Sequence, residues 1–415
     1  MRHTLFSSYL KAIAWLIPIS LMTVFAFNRF MDPFDIFDGP RIEGINANKP
    51  HFLSHLRMSK AIAVQRLKPT AIILGTSRAE AGIDPLHPGW SDHPVYNLAI
   101  SSANIYEIFR YLQHAQAVQP LKQVVLMLDF FMFNAVSQDD KQDFDERRLA
   151  VDVEGYPQGS NYDIFSSIAS LDAFRSSIDT FFKQSKTSDY FPNGMSNNTE
   201  KYNVIQGKGG HHYEFIFSEN CYLNNLYNNF NFATAKRDLW QVYRQLIAMV
   251  YQQKLGLHIV ISPSHARQFE AIAVKGLWQT FEQWKLQLVQ INEQEAAKSG
   301  EELLPIWDFS GYNSYTTEKV PPLGDANTEM QWYWESSHYK KELGDLVLDR
   351  VFGHQEPGRT VHPDFGTLIT SENIELHLRQ VRNDRQKWRT SFPEDAQEIE
   401  RLGRAIDISK IIQKR

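Results

Sequence analysis

The sequence has a single cysteine and no marked excess of either charge. Because Cys221 has no second thiol to pair with, the chain can form neither an internal disulfide nor a zinc site built from several thiolates. The 43 Lys and Arg residues nearly balance 48 Asp and Glu residues, so the basic patch of a nucleic-acid-binding protein is not indicated. The chain also lacks heptad arrays and repeats. With 43% hydrophobic residues, it is predicted to fold into one large domain or a few smaller ones.

Long apolar runs are scarce, and the clearest one lies at the N-terminus. Residues 12–27 carry no charge, and with their neighbours they approach the ~20 residues that a helix needs to cross a bilayer. Arg2 and Lys11 precede this run, and Arg29 and three aspartates follow it, which favours a cytoplasmic N-terminus and an external body. We predict a transmembrane signal anchor at residues 1–30. A cleaved signal peptide and a buried core helix are the alternatives, although no small-x-small cleavage site follows the apolar core.

Downstream, short apolar runs alternate with helical patterns. A linker and lead-in helix at residues 31–68 precede them. Five runs are predicted as strands: Ala71–Leu74, Val95–Ile100, Val124–Phe131, Leu257–Ser262 and Leu303–Asp308. Strands that alternate with helices are typical of a parallel sheet covered on both faces. The sequence therefore predicts an α/β domain at residues 69–352, with a doubly wound, mostly parallel five-stranded sheet of flavodoxin-like order.

Two segments depart from this alternation. Residues 135–231 are rich in Asn, Gly, Ser and Tyr and form an insertion after the third predicted strand, either a wall or lid of the site or a surface decoration. Within it, His211 and His212 have no acidic partner at metal-ligand spacing, so no metal site is predicted. Residues 353–415 are predicted to be a charged helical C-terminal extension, which either packs on the body or mediates contacts.

A serine follows the first predicted strand at the start of a helix. The run Ala71–Leu74 leads into Gly75, which permits a sharp turn, and then into Thr76 and Ser77. Ligands of open α/β sheets bind at the carboxyl ends of strands, beside helix N-termini that can hold an anion. Ser77 is therefore a candidate nucleophile. Its alternative role is the N-cap of the helix, a position that favours serine.

A second segment, far along the chain, supplies a candidate base. Glu335 and His338 are three residues apart in a loop that enters a helix, so the carboxylate can reach the imidazole. A serine hydroxyl is a poor nucleophile until a base takes its proton, and the base needs a partner that fixes its tautomer. Ser77, His338 and Glu335 thus form a candidate triad. Asp308, at the end of the fifth predicted strand, is a rival for the acid.

Four blocks of the sequence resemble the SGNH/GDSL hydrolase superfamily, in particular its membrane-anchored cell-envelope branch. That branch includes acyl-handling proteins of the alginate acetylation and D-alanylation systems. The blocks are Gly75-Thr76-Ser77-Arg78, Asn97–Asn104, Leu128–Asn134 and Glu335–His338. The chain departs from the family pattern in each block: Thr76 replaces Asp, Ser102 replaces the oxyanion Gly, the Gly-x-Asn-Asp of the third block is missing, and Glu335 replaces Asp.

The resemblance implies a function and a location. It implies a Ser-His-Glu esterase or O-acyltransferase without a cofactor, acting on acyl esters of an envelope or secreted polysaccharide. The backbone N–H groups of Ser77 and Ser102 would hold the oxyanion, with Asn104 or Asn134 in place of the missing Asn. The implied location is the bacterial inner membrane, with a single pass and a periplasmic catalytic domain. Other proteins of the polysaccharide machinery are the implied partners.

Three further residues are candidates for substrate binding. Arg78 either binds a substrate anion or pairs with Glu80, and His265 follows the fourth predicted strand. Trp334 either stacks on a sugar ring or packs in the core. Two other functions remain open at this point. The weak middle blocks favour a catalytically inactive SGNH-fold scaffold or carbohydrate-binding component of an envelope assembly, and a buried N-terminal helix would indicate a cytoplasmic esterase.

Overall fold

The computed structural model describes residues 2–136, 143–159, 167–184 and 188–413. The chain divides into two compact units. The first unit comprises Met1–Leu67 and Asp143–Tyr190, and the second comprises Lys68–Gln142 and Phe191–Arg415. The predicted insertion at 135–231 is thus divided between the units, and nearly all of the predicted linker at 31–68 belongs to the first.

The regular elements of the described residues are as follows. The helices are α1 (Arg2–Met31), α2 (Leu56–Leu67), α3 (Ser77–Gly82), α4 (Ile105–Val118), α5 (Leu171–Phe182), α6 (Thr199–Lys208), α7 (His211–Cys221), α8 (Leu239–Gln253), α9 (Ala266–Val274), α10 (Trp278–Ser299), α11 (Lys341–Phe352), α12 (Ile374–Ser391) and α13 (Pro393–Gln413). The strands are β1 (Ala71–Leu74), β2 (Val95–Asn97), β3 (Gln123–Leu128), β4 (Gly256–Ile261), β5 (Ile306–Asp308) and β6 (Thr367–Leu368).

The second unit contains a mixed, mostly parallel sheet of six strands in the order β2-β1-β3-β4-β5-β6. Strands β1 to β5 pair in parallel, and β6 pairs antiparallel with β5. The predicted α/β class is confirmed, and each of the five predicted strands forms. The prediction of a five-stranded sheet is wrong by one edge strand, because β6 has only two residues and no apolar run to reveal it.

The sheet is buried, and its strand ends define one edge. Strands β1 and β3 have every residue buried, which matches their near-continuous apolar sequences. On one face, Ala71, Ile73 and Met127 pack in a cluster with Leu343 and Val347 of α11. Because β1 to β5 are parallel, the loops that follow them emerge at the same edge. The chain passes from β1 to β2 on one side and then to β3 on the other, so the strand order reverses at β1.

The helical pattern of the sequence from Arg267 to Ser299 predicts one long helix, but the structure has two. The stretch breaks between α9 and α10. The break lies at Lys275–Leu277, where Gly276 has a φ of +71°, a backbone conformation that glycine adopts without a Cβ penalty. The apolar periodicity continues through the break, and only the glycine marks it in the sequence.

The C-terminal extension packs on the second unit. Helix α13 lies against α9, which carries the fully buried Arg267. That guanidinium pairs with Glu219 of α7 at 2.8 Å, with Glu398 of α13 at 2.6 Å and with Asp395. His212 of α7 also contacts Glu398, at 2.8 Å. A shared set of charges therefore fastens α13 to α7 and α9.

In the first unit, α1 carries an apolar stretch that is not buried. The Tyr9–Met31 part is long and apolar enough to cross a membrane, with a mean hydropathy of 1.9 in its most apolar window, and the rest of the chain buries none of that window. This finding is consistent with a membrane anchor. The end of α1 packs against α5, where Phe27 and Phe174 have ring centroids 6.0 Å apart.

Candidate active site

The loop after β1 presents Ser77 at the start of α3. Gly75 has a φ of +154°, and a Cβ there would lie 2.8 Å from that of Ala79 and 2.9 Å from that of Met127, so only glycine fits this turn. Thr76 is the N-cap of α3, since its side chain accepts a hydrogen bond from the backbone N–H of Arg78. The alternative role that the sequence left open for Ser77 therefore belongs to Thr76, and Ser77 is the first helical residue.

The structure brings the three residues of the candidate triad together. Ser77 Oγ lies 2.7 Å from His338 Nε2, and Glu335 Oε1 contacts His338 Nδ1 on the opposite side of the ring. Glu335 also accepts hydrogen bonds from the backbone N–H groups of His338, at 3.0 Å, and Ser337, at 2.8 Å. These bonds fix the carboxylate, which holds the Nδ1 proton and leaves Nε2 free to accept the proton of Ser77.

The electrostatics favour an ionised acid and a neutral base. Burial alone would raise the pKa of Glu335, but the charge and the hydrogen bond of His338 outweigh it and lower that pKa to about 2. Burial lowers the pKa of His338 below its usual value of 6.5, and the nearby charge of Lys201 lowers it further, against the opposing effect of Glu335. At neutral pH, His338 can therefore accept a proton.

A cavity of about 360 Å³ opens beside Ser77. Helices α6 and α7 and the π-helical turn Tyr222–Leu226 that follows them form much of its wall, so part of the predicted insertion lies at the site. Apolar side chains, among them Phe217 and Trp334, lie beside the charged Lys201 and Glu214. The volume falls within the range of about 300–1,000 Å³ typical of small-molecule sites.

Two backbone N–H groups are candidates for holding an oxyanion. Ser77 and Ser102 both line the cavity, and neither N–H donates a hydrogen bond to another described residue. Ser102 has a φ of +56°, in the left-handed region that favours glycine, at the position where the SGNH pattern has its oxyanion glycine. Strain of this kind at a non-glycine residue is common at functional sites.

The predicted oxyanion role of Asn104 is wrong. Asn104 is the N-cap of α4, where its side chain accepts a hydrogen bond from the N–H of Glu107 at 2.9 Å, and it does not line the cavity. Asn134, the other candidate, donates to the carbonyl of Leu226 at 2.8 Å and holds the chain behind the cavity wall. Asparagine serves both caps and oxyanion sites, so its identity alone could not separate the two roles.

Arg78 is buried beneath the site, which contradicts its predicted contact with substrate. Its guanidinium donates to Asp129 at 2.7 Å and to the hydroxyl of Ser337 at 2.9 Å, and it does not pair with Glu80. Thr76 donates to the same Asp129 carboxylate at 2.6 Å. Arg78 thus ties the segment of the candidate nucleophile to the loop of the candidate base. Sequence reasoning missed this pair because 51 positions separate its members.

His265 and Asp308 also have structural roles. His265 is the N-cap of α9, accepting from the N–H of Arg267 at 3.2 Å and donating to the carbonyl of Glu318 at 2.7 Å. It is 1% exposed and does not line the cavity, so its predicted substrate contact is wrong. Asp308 pairs with Lys285, at 2.7 Å, and with the ring of His377, and is therefore not the acid of the triad.

Two further residues shape the loop that carries Glu335. Trp334 lines the cavity, and the ammonium of Lys340 lies 4.7 Å from the centroid of its ring. The contact of Trp334 with substrate stays a prediction. His211, which sequence reasoning considered only as a metal ligand, donates from Nδ1 to the carbonyl of Trp334 at 2.9 Å and accepts from the N–H of Met330. Among the described residues, no group of three or more His, Cys, Asp and Glu side chains could hold a metal ion.

The arrangement is suited to acyl transfer through a serine. A hydroxyl, an imidazole and a carboxylate are in hydrogen-bond contact, in the order needed to take a proton from the hydroxyl. A cavity lined by Ser77 and Ser102 lies beside the hydroxyl. A scan against protein-family models, a search of curated proteins and a search of solved structures each found no match for this chain.

Proposed function

We propose that this chain is a membrane-anchored serine esterase or O-acyltransferase of the SGNH/GDSL type. The observation that carries the proposal is the 2.7 Å contact between Ser77 Oγ and His338 Nε2, with Glu335 on the other ring nitrogen. The parallel strands follow the order β2-β1-β3-β4-β5, which is that of flavodoxin-like, doubly wound sheets. That order supports the resemblance of the four sequence blocks, because it places the loops after β1 and β3 at the point where the strand order reverses.

The reaction proceeds through an acyl-enzyme. Ser77 Oγ attacks the ester carbonyl carbon while its proton passes to His338 Nε2, and the N–H groups of Ser77 and Ser102 stabilise the oxyanion. The intermediate collapses, the ester C–O bond breaks, and His338 protonates the departing alcohol. In the second half-reaction the acyl acceptor gives its proton to His338 Nε2 and attacks the acyl carbon. The bond between the acyl carbon and Ser77 Oγ then breaks, and His338 returns the proton to Ser77 Oγ. Hydrolysis follows when the acceptor is water, and transfer follows when it is a hydroxyl of another molecule.

The substrate class and the location extend the same proposal. The resemblance implies an acyl ester of an envelope or secreted polysaccharide, and Trp334 supplies an aromatic surface on which a sugar can stack. In this proposal helix α1 spans the inner membrane, with Arg2 and Lys11 on the cytoplasmic side and the catalytic unit in the periplasm. The apolar length of α1 and the basic residues that precede its apolar run support this arrangement. The partners are then other proteins of the polysaccharide machinery. The mechanism uses side chains and backbone alone and needs no cofactor.

Ester hydrolysis by matched serine variants tests the proposal. Full-length protein in detergent should hydrolyse 4-nitrophenyl acetate and react with a fluorophosphonate probe, and Ser77→Ala should lose both properties while keeping its circular dichroism spectrum. Ser101→Ala is the matched control, because Ser101 lines the same cavity, whereas the hydroxyl that contacts His338 Nε2 is that of Ser77. If wild type and Ser77→Ala are equally inert and the probe labels neither, the protein is instead a non-catalytic scaffold or carbohydrate-binding component.

A further inference from the structure

Helix α5 of the first unit has its apolar face turned outward. Four large apolar side chains are exposed, by fractions of 76% at Leu171, 36% at Ile178, 48% at Phe181 and 75% at Phe182. They recur at the spacing of a single helical face. The buried face consists of small, mostly polar residues: Ala173, Ser176, Ser177 and Thr180. This is the reverse of the pattern expected for a helix on a water-soluble domain.

The orientation of α5 is fixed by specific contacts on its inner side and flank. Ala173 packs in a cluster with Phe34 and Met58. At the start of the helix Asp172 lies 3.1 Å from the ring of His55, and Asp179, a helical turn from the end, lies 3.4 Å from the ring of His51. Turning the aromatic residues inward would break all of these contacts. The exposed apolar face is therefore a property of the folded unit.

This face lies beside the end of α1. Phe174 packs on Phe27 of α1, with ring centroids 6.0 Å apart, and the side-chain amide of Asn28 donates to the carbonyl of Ile168, just before α5, at 2.8 Å. Phe30, at the end of α1, is itself 43% exposed. The apolar surface of the predicted membrane span thus continues onto α5 within the same unit.

We propose that α5 is an interfacial helix that inserts its apolar face into the lipid bilayer beside the membrane anchor. Helices of this kind lie in the plane of the interface with Phe and Leu side chains about 5–10 Å deep in the headgroup and acyl boundary. The continuity with α1 is the reason to assign lipid, and not a second protein, to this surface. The inference rests on the proposed anchoring of α1 but not on the proposed enzymatic activity.

The charges of α5 indicate which lipid headgroups its insertion requires. A charged strip borders the apolar face, with Arg175 and Lys183 balanced by Asp172 and Asp179. Interfacial helices that depend on anionic lipids are rich in Lys and Arg instead. Insertion of α5 should therefore occur in zwitterionic bilayers and should change little when anionic lipid is added. The first unit would be held at the membrane by two apolar elements, which restricts its rotation about α1.

Quenching of fluorescence at single positions tests the insertion in the full-length protein. Because Cys221 is the only native cysteine, Cys221→Ser gives a background in which one introduced cysteine carries an environment-sensitive fluorophore. The probe is placed at Phe182 on the apolar face, or at Lys183, its exposed neighbour on the charged strip, as the matched control. A third variant, Trp15→Cys, reports on α1. Each protein is reconstituted into phosphatidylcholine vesicles containing a nitroxide-labelled lipid, and iodide serves as the aqueous quencher.

The two quenchers distinguish all outcomes. We expect the nitroxide lipid to quench the probes at Phe182 and Trp15, and iodide to quench the probe at Lys183. Quenching of the Phe182 probe by iodide, while the Trp15 probe is quenched by lipid, would overturn the proposal and leave the anchor intact. Protection of Phe182 from both quenchers would also overturn it, because a second copy or another protein would then cover this face. A Trp15 probe that lipid does not quench would reject the anchor and the inference with it.

Discussion

Replacing Glu335 by Gln should nearly abolish catalysis while preserving the volume of the side chain. Glu335 accepts hydrogen bonds from the imidazole and backbone of His338 and from the backbone of Ser337. A Gln amide has one acceptor oxygen, and its NH₂ group donates. If the NH₂ group faces Nδ1, the ring proton moves to Nε2, which can then no longer accept the proton of Ser77.

The size of the loss follows from the charge that develops on His338. The imidazole becomes an imidazolium during attack, and it touches a carboxylate that is 10% exposed, while the imidazole itself is 16% exposed. Two unit charges in such contact, at an effective dielectric constant of about 20, attract each other by about 4 kcal/mol. Losing that attraction in the transition state lowers kcat by about 10³-fold, at about 1.4 kcal/mol for each factor of ten.

Initial rates with 4-nitrophenyl acetate measure this loss. Glu214→Gln is the control, since Glu214 is a second carboxylate that lines the same cavity and is not bonded to His338. We expect Glu335→Gln to lose kcat with little change in KM, because the interaction strengthens only as charge develops. A kcat for Glu335→Gln within a factor of about ten of wild type, equivalent to about 1.4 kcal/mol, would refute the assignment of Glu335 as the acid.

Two further predictions concern the base and the buried pair beneath it. Burial lowers the pKa of His338, and the base works only when neutral, so the pH profile of kcat/KM should rise with a midpoint below 6.5 and then level off. A midpoint above 6.5 would contradict this prediction. Arg78→Leu leaves Asp129 buried without its charge partner and should cost about 3–5 kcal/mol in urea unfolding. The double variant Arg78→Leu/Asp129→Leu should be less destabilised than Arg78→Leu alone. A loss of stability in the double variant equal to the sum of the losses in Arg78→Leu and Asp129→Leu would show that the pair does not interact.

The candidate triad could be predicted from the sequence because its signals are local. A strand, a glycine turn and a serine are consecutive, so the position of Ser77 follows from its neighbours. Glu335 and His338 are separated by three residues, and their contact needs only one turn of chain. Local patterns of this kind do not depend on how the rest of the chain folds. The 2.7 Å contact between the two segments, in contrast, depends on the tertiary fold.

The residues that sequence reasoning assigned wrongly each have partners that the local pattern does not contain. Arg78 could as well have bound a substrate anion, and only the burial of Asp129 beside it makes it an internal ion pair. His265 and Asn104 follow strands in the way that site residues do, yet both cap helices. A polar residue that follows a strand lies at the edge of the sheet where the cavity opens. The cavity occupies only part of that edge, so some of these residues lie outside it.

The sequence by itself determined the alternation of strands and helices, the apolar run of α1 and the identity of the three residues of the candidate triad, since each depends on the order of near neighbours. It also contained the apolar period of α5, but not the direction in which that face points. Tertiary structure decided the sixth strand, the partners of Arg78 and the outward turn of Phe182, because each is set by groups that are distant in the chain and adjacent in space.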